Sequence, residues 1–329
     1  MMKSLLKKTA LIFLLLVFSS SFLHARAAGE TGVKDLTVYV IKGPSGVGLV
    51  RLFEEPPEIP GYNVRVEALA QQDLMAARFI SGEAQVGILP PNMAAKIASA
   101  SADVRAAAVL GNGMLSLLSS DPGIMNIEDL RGKTVEVAGQ GATPDFVFRK
   151  ILASHALVPE CDLNLRYSLA YPEIAQSLIA GRVTTALLPE PFATMALSGK
   201  PDLKSVVNIQ DEWNRIGGSG NYPMTLLAIN GVFAQANQDA VRLILDAVKN
   251  SIEWVVSNPA EAGALVEKHE LGLKAGVVAA AIPKSNYVFI PAQVGRPSLE
   301  ALFKVFLENA PASIGGALPD DKFYWKSDG

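Results

Sequence analysis

Short apolar runs alternate with amphipathic stretches along most of the chain. The runs predict β-strands and the stretches, with apolar residues three or four apart, predict helices. The predicted strands span residues 36–41, 63–67, 85–89, 104–110, 134–138, 163–168 and 184–188, with 114–119 and 224–230 extended. The predicted helices span 72–81, 91–100, 145–155 and 172–180, with others beginning near 47 and 191. Strands that alternate with helices indicate an α/β protein.

The C-terminal third is helical by pattern. Apolar residues recur at helical spacing through 241–255, which predicts a long helix with one face in the core. Asn258 is the predicted cap of the next helix, which begins at Pro259, and 297–309 form a further amphipathic helix. We expect these helices to pack on the first part of the chain.

The sequence contains an internal echo. Residues 79–95 resemble 178–194 at an offset of 99, and 36–40 resemble 133–137 at an offset of 97. A period this long differs from the 20–50 residues of a solenoid repeat. It predicts two similar α/β lobes with a ligand cleft between them. The first echo pairs Ile80, Gly82, Leu89, Pro90 and Ala94 with Ile179, Gly181, Leu188, Pro189 and Ala193.

Each copy reads as helix, strand, turn and helix. Gly82 and Gly181 are the expected left-handed helix ends, and Pro90 and Pro189 the expected first helical residues. Ligands bind at the carboxyl ends of parallel strands, beside helix N-termini. The two turns therefore predict a paired site, although the prolines could also mark two ordinary connections.

The N-terminus is typical of a secretory signal. Basic residues at Lys3, Lys7 and Lys8 precede an apolar stretch, 9–18, which is too short for a membrane span. Ala25-Arg26-Ala27 supplies the small residues of a cleavage site. We expect residues 1–27 to be a cleaved signal peptide, the alternative being an uncleaved anchor. The only cysteine, Cys161, is far from this site, so the protein is predicted to be unlipidated, exported and periplasmic.

Length and charge limit the function classes. Cleavage leaves 302 of the 329 residues, enough for two domains. It also removes four basic residues and no acidic ones, so the formal net charge of -3 becomes -7. Nucleic-acid binding needs a basic surface, so this charge argues against it.

Four phrases carry a family resemblance: GEAQVGILPPNMAA, IEDLRGKTVEVAGQGATPDFVFRKIL, AGRVTTALLPEPFAT and YPMTLLAINGVF. With them the chain resembles the substrate-binding proteins of bacterial ABC importers. The similarity is greatest to the nitrate/sulfonate/taurine and thiamine-precursor binding family, which has the type II periplasmic-binding-protein fold.

The resemblance implies a two-lobed α/β clamp whose lobes are joined by two crossing strands, near 116–120 and 222–226. It divides the chain into a signal peptide (1–27), lobe one (28–118 and 225–329) and lobe two (119–224). It also implies a monomer that passes a small-molecule ligand to an ABC transporter permease in the inner membrane. An enzyme of cofactor biosynthesis on the same fold and a ligand sensor for a membrane receptor are the alternatives.

Catalytic motifs are incomplete. The loop from Gly43 to Gly48 has the glycines of a phosphate loop, but Leu49 and Val50 replace its Lys and Ser/Thr. The loop could still offer backbone N–H groups to a ligand, or be an ordinary glycine-rich turn. His155, His269 and Cys161 lack the spacing of a metal site, and we expect the histidines at the surface or at helix ends. No catalytic residue, metal or cofactor is predicted.

The predicted strand-end loops supply the candidate ligand contacts. They contain no arginine, which a buried sulfonate or carboxylate usually binds, and they contain one carboxylate, Glu190. This set favours a neutral or weakly basic heteroaromatic ligand, although Glu190 could instead interact with a helix start at the rim. Phe192 and Met195 are expected in the core of lobe two. The candidates are Ser45, Gln71, Asn92, Asn112, Gln140, Thr143, Tyr171, Glu190 and Tyr222.

Overall fold

The computed structural model of the protein describes residues 32–100, 102–217 and 220–326. The predicted signal peptide, 1–27, lies outside these residues. Within them, no helix combines the length and the apolar character that a membrane crossing needs.

The first sheet has six strands in the order β11-β4-β10-β3-β1-β2. Its strands are β1 (Lys34–Ile41), β2 (Tyr62–Leu69), β3 (Val86–Leu89), β4 (Val104–Gly111), β10 (Thr225–Asn230) and β11 (Tyr287–Pro291). β1, β2 and β3 run parallel, and β10 inserts antiparallel between β3 and β4. The helices between these strands are α1 (Pro44–Val47), α2 (Gln72–Ile80) and α3 (Pro91–Ser99).

The second sheet has five strands in the order β7-β6-β8-β5-β9. Its strands are β5 (Leu115–Ser119), β6 (Thr134–Val137), β7 (Asn164–Arg166), β8 (Thr185–Pro189) and β9 (Lys204–Asn208). β6, β7 and β8 are parallel, while β5 is antiparallel to β8 and β9. Its helices are α4 (Thr143–Ser154), α5 (Tyr171–Ile179), α6 (Phe192–Gly199) and α7 (Ile209–Arg215).

The two sheets repeat one another, as the sequence echo predicts. The order β2-β1-β3-β10-β4 in the first corresponds to β7-β6-β8-β5-β9 in the second, with the same parallel and antiparallel pairs. Gly82 and Gly181 end their helices at φ of 77° and 71°, which confirms the predicted left-handed ends. Pro90 and Pro189 come before the helices rather than in them, and Pro91 is the first residue of α3.

The C-terminal helices pack against the first sheet. They are α8 (Gly231–Ala236), α9 (Gln238–Ser257), α10 (Pro259–Lys268), α11 (Ala275–Ala281) and α12 (Ala292–Asn309). The apolar face of α9, including Val241, Ile244 and Val248, lies in one core cluster with strand residues of the first lobe, among them Val38. α10 begins at Pro259 as predicted, but the Asn258 side chain donates backward to the Trp254 carbonyl instead of capping.

Several elements differ from the sequence predictions. The helix expected from Val47 is a single turn, α1, followed by a 3-10 turn at Val50–Phe53. β9, α7 and β11 were not predicted. The expected first crossing, 116–120, is mostly β5 and belongs to the second sheet, so the chain changes lobe just before it.

Candidate functional site

The chain passes between the sheets twice, once between Gly111 and Leu115 and once between Arg215 and Thr225. We refer to these segments as the first and second crossings. The two turns predicted to form a paired site, at Pro90 and Pro189, lie beside these crossings. Leu89, just before the Pro90 turn, pairs with Leu226, and Pro189 pairs with Leu115. The carboxyl ends of β3 and β8 therefore lie at the two crossings. We refer to the crossings, together with the residues packed against them, as the hinge.

Gly113, in the first crossing, is overlaid by two side chains from other segments. A Cβ atom at this position would overlap both Gln210 Oε1 and the ring of Tyr222. Gln210 comes from α7 in the second lobe, where the Asn208 side chain accepts from the backbone of Gln210 and Asp211 and so fixes the start of the helix. Tyr222 belongs to the second crossing. Only glycine leaves room for this convergence.

Polar atoms at the hinge are buried without partners. Tyr222 is fully buried, Trp213 is 3 % exposed and Gln210 is 9 % exposed. In the part of the chain that the structure describes, no hydrogen bond reaches Gln210 Oε1, Trp213 Nε1 or the Tyr222 hydroxyl, nor Asn112 Nδ2 in the first crossing. Burial raises the pKa of Tyr222. The Leu115 backbone N–H is close enough to the hydroxyl to act in the opposite direction, but it does not have the geometry of a hydrogen bond. Leaving such atoms unpaired is unfavourable, so the hinge can accept polar groups from a ligand.

Glu190 is buried, at 4 % exposed, where β8 leads into α6. Its N–H donates to the Met114 carbonyl at 3.0 Å, which joins it to the first crossing. Its Oε2 accepts from the Thr194 N–H at 3.0 Å, so it does contact a helix start, but in a buried position rather than at the rim. Burial raises the pKa of Glu190, whereas hydrogen bonding by Thr194 and, to a smaller extent, the charge of Lys284 in the first lobe act in the opposite direction.

Ser45 lies at the first-lobe side of the hinge. Its Oγ is 3.5 Å from Thr225 Oγ1, at the start of β10. The neighbouring Pro44 carbonyl accepts from the Tyr287 hydroxyl at 2.8 Å. The glycine-rich loop is thus tied to the end of the second crossing and to β11.

Thr143, the first residue of α4, is buried and its Oγ1 is unpaired among the described residues. Asp145, two residues further on, holds this helix start in place. Its Oδ2 accepts from the Gly141 N–H at 2.8 Å, and its Oδ1 accepts from Arg149 Nε at 2.7 Å and from the Tyr167 hydroxyl at 2.6 Å. Burial and the bond to Asp145 raise the pKa of Tyr167.

The other candidates are less closely connected to the hinge. Tyr171 stacks on Phe192 with ring centroids 5.7 Å apart, and Phe192 is buried as expected. Asn92 is half-buried in the first turn of α3, whereas Gln71 and Gln140 are exposed. Met195, expected in the core of lobe two, is only half-buried against it.

The histidines end helices, as predicted. His155 and His269 are the C-terminal caps of α4 and α10. Both ring nitrogens of His155 contact carboxylates, Glu128 at 2.7 Å and Glu212 at 3.1 Å. Over residues 32–100, 102–217 and 220–326, no cluster of His, Cys, Asp and Glu could hold a metal ion.

Sequence reasoning missed Gln210, Trp213 and Thr225. The first two lie on α7, within a region that looked polar and irregular. A signal for this helix is nevertheless present, since Asn208 is a preferred cap and Asp211 and Glu212 follow in the first turn. Thr225 was treated only as part of an extended crossing strand.

Comparison with known proteins identifies the family of this chain. A model of the family described as NMT1/THI5 like matches residues 61–262, more than half of the chain. A search of curated proteins finds no match.

Solved structures share the fold at low sequence identity. An ABC transporter structure from Parabacteroides distasonis is 24 % identical, with a TM-score of 0.77, over 89 % of this chain and 99 % of that one. The periplasmic aliphatic sulphonate binding protein SsuA from Escherichia coli is 17 % identical, with a TM-score of 0.70, over 89 % and 92 %. The periplasmic nitrate-binding protein NrtA from Synechocystis PCC 6803 is 12 % identical, with a TM-score of 0.61, over 88 % and 83 %. The fold is therefore the two-lobed fold of periplasmic binding proteins, as predicted.

Proposed function

The chain belongs to the NMT1/THI5-like family. We propose that it is a solute-binding protein, which captures a small organic ligand between its lobes and delivers it to an ABC transporter permease. The observation that carries the proposal is the set of unpaired, buried polar atoms where the lobes meet. A ligand held there contacts both lobes and both crossings. Such a ligand favours the closed arrangement, because only that arrangement offers all the contacts.

The proposed ligand is a neutral or weakly basic heteroaromatic compound, such as a pyrimidine or a vitamin precursor. Neutral amide, hydroxyl and indole groups dominate the hinge, and burial disfavours the charged form of Glu190. Tyr171, which is half-buried and backed by Phe192, offers the free face of its ring for stacking on a planar ligand. A nitrate, sulfonate or taurine-type ligand is the second candidate, since SsuA and NrtA share the fold.

The proposed contacts retain the residues expected from sequence: Ser45, Gln71, Asn92, Asn112, Gln140, Thr143, Tyr171, Glu190 and Tyr222. We place Asn92 and Glu190 on opposite walls, because each follows the end of a strand beside a crossing. Replacing either by alanine should weaken binding by about 1–3 kcal/mol. Calorimetry measures this loss, and wild-type affinity in both variants would place the cleft elsewhere.

Native mass spectrometry of the purified protein tests the function itself. We expect a small molecule to be retained and, after release, to be recovered chemically unaltered. A converted molecule would assign the protein to cofactor biosynthesis instead. Co-purification with a membrane kinase rather than with a permease would identify a sensor.

The proposed site of action is the periplasm, where the protein acts as a monomer after removal of residues 1–27. The intact mass of the exported protein should correspond to a chain that begins at Ala28. A mass that retains the leader, or that includes a lipid, would contradict this location.

A further inference from the structure

We infer that Gln210, Trp213 and Tyr222 determine ligand specificity, and that they select an uncharged molecule with a hydrogen-bond donor and an acceptor close together. We refer to these three residues as the hinge triad. The inference rests on the proposed function, because it concerns the ligand of the same cleft. Sequence reasoning assigned no role to Gln210 or Trp213.

The hinge triad forms one cluster. Gln210 Oε1 and the Tyr222 ring lie against the same point above Gly113. Trp213 follows Gln210 by three residues on α7, which places the two side chains on one face of the helix. The rings of Trp213 and Tyr222 meet edge to face, with centroids 5.6 Å apart. The second lobe therefore brings two polar side chains to a tyrosine of the second crossing.

Each unpaired atom of the hinge triad has a defined capacity to donate or accept a hydrogen bond. Gln210 Nε2 donates to Asn214 Oδ1 at 3.0 Å, so its Oε1 remains as an acceptor. The indole of Trp213 can only donate, whereas the hydroxyl of Tyr222 can donate or accept. A matching ligand presents a donor to Gln210 and an acceptor to Trp213 or Tyr222.

An oxyanion fits this cluster poorly. Nitrate and sulfonate carry acceptors alone, so Gln210 Oε1 would remain unpaired beside a negative charge. The triad itself contains no cation to offset that charge. An aminopyrimidinone edge or a carboxamide, by contrast, offers a donor next to an acceptor without net charge.

A structural role and a binding role predict opposite effects on the empty protein. Removing a buried polar atom that has a partner destabilises the fold, whereas removing an unpaired one does not. Tyr222→Phe should therefore leave the ligand-free melting temperature unchanged or raised. Gln210→Leu also removes the bond from Nε2 to Asn214, which is exposed and can bond to water instead, so its melting temperature should fall only slightly. Tyr62→Phe is the matched control, because the Tyr62 hydroxyl donates to Asn237 Oδ1 at 2.7 Å in lobe one. This control should melt earlier but bind normally.

The experiment measures thermal unfolding with four probes at millimolar concentration. Cytosine and nicotinamide are uncharged and carry a donor beside an acceptor, while nitrate and methanesulfonate are anions. We expect cytosine, nicotinamide or both to stabilise the wild type in a saturable manner, and the anions to have no effect. Tyr222→Phe and Gln210→Leu should each weaken that response by about tenfold.

Three outcomes overturn the inference. The first is stabilisation by the anions alone, with the same affinity in both variants, which would retain solute binding but remove the selection. The second is a lower ligand-free melting temperature in Tyr222→Phe, together with unchanged probe affinity in both variants, which would show a structural role. The third is no response to either uncharged probe. In that case native mass spectrometry decides the proposed function separately.

Discussion

Phe146 of the second lobe packs edge to face on Phe306 of the first, with ring centroids 5.0 Å apart. One helical turn beyond Phe146, Lys150 Nζ lies 2.9 Å from Glu308 Oε2. The lobes therefore also touch beside Trp213, which lines the same pocket as Lys150 and Glu308, and these contacts include a buried apolar contact and an exposed ion pair.

Phe146→Ala should favour an open arrangement. The ring is 6 % exposed, and its loss should lower the free energy of unfolding by about 3 kcal/mol. Small-angle scattering of the ligand-free variant should show a larger radius of gyration than the wild type. Lys150→Ala is the control and should change stability by less than about 1 kcal/mol. An unchanged radius in Phe146→Ala would mean that the hinge alone sets the closure.

Gly113→Ala should destabilise the protein by about 1–3 kcal/mol, because the new methyl group overlaps Gln210 and Tyr222. Urea unfolding measures the loss. Gly276→Ala is the matched control, since Gly276 lies in α11 with no atom within 4 Å of its Cβ position. That change should stabilise the helix by roughly 0.5 kcal/mol. Equal effects at both positions would contradict the crowding at the hinge.

Asp145→Ala should cost about 2–3 kcal/mol, because Arg149, Tyr167 and the Gly141 N–H all lose their acceptor. The loss stays moderate because Arg149 keeps some contact with water. Chemical denaturation measures it against Asp239→Ala, whose ion pair with Arg242 is exposed and should matter little. Similar stability in the two variants would show that the α4 start does not need its acidic residue.

Glu190→Gln should stabilise the protein near neutral pH. Burial raises the pKa of Glu190 above its ordinary value of 4.5, so the folded state binds more protons than the unfolded state between the two pKa values. Wild-type stability therefore falls as the pH rises through that window, and a neutral glutamine avoids the loss while still accepting from Thr194. The difference in stability between Glu190→Gln and the wild type should disappear by about pH 4, where the wild-type carboxyl is protonated in the folded and the unfolded state.

Melting curves of both proteins across this pH range measure the difference. A variant that is less stable than the wild type near neutral pH would show that the carboxylate is favoured in the folded state.

Periodicity predicts the repeated part of the fold well. β3 and β8 are buried along their whole length and carry short apolar runs, and runs of this kind identify central parallel strands. Two edge strands were missed for different reasons. β9 has exposed residues at its start and therefore a weak apolar pattern. β11 is apolar in sequence, but the C-terminal third around it is helical by pattern and was assigned as helix throughout.

The candidate site is less predictable because it depends on which distant segments meet. Position at a strand end correctly selected Asn112 and Tyr222 as residues of the crossings, but the same rule selected Gln71 and Gln140, which are exposed. Gln210 escaped it because it lies on a helix whose approach to Gly113 follows from the packing of α7, not from local pattern. The specific ligand contacts remain predictions.

The central place of β10 in the first sheet has a consequence for how the chain acquires its structure. All five strands of the second sheet come from one continuous stretch, Leu115–Asn208, so that sheet can be completed as soon as this stretch is available. The first sheet cannot, because β4 is separated from β3 until Thr225–Asn230 arrives to fill the gap. During synthesis or export, the half that begins the chain must therefore wait for residues made after the other half. We expect pulse-labelled intermediates to show hydrogen-exchange protection in Leu115–Asn208 before Lys34–Gly111.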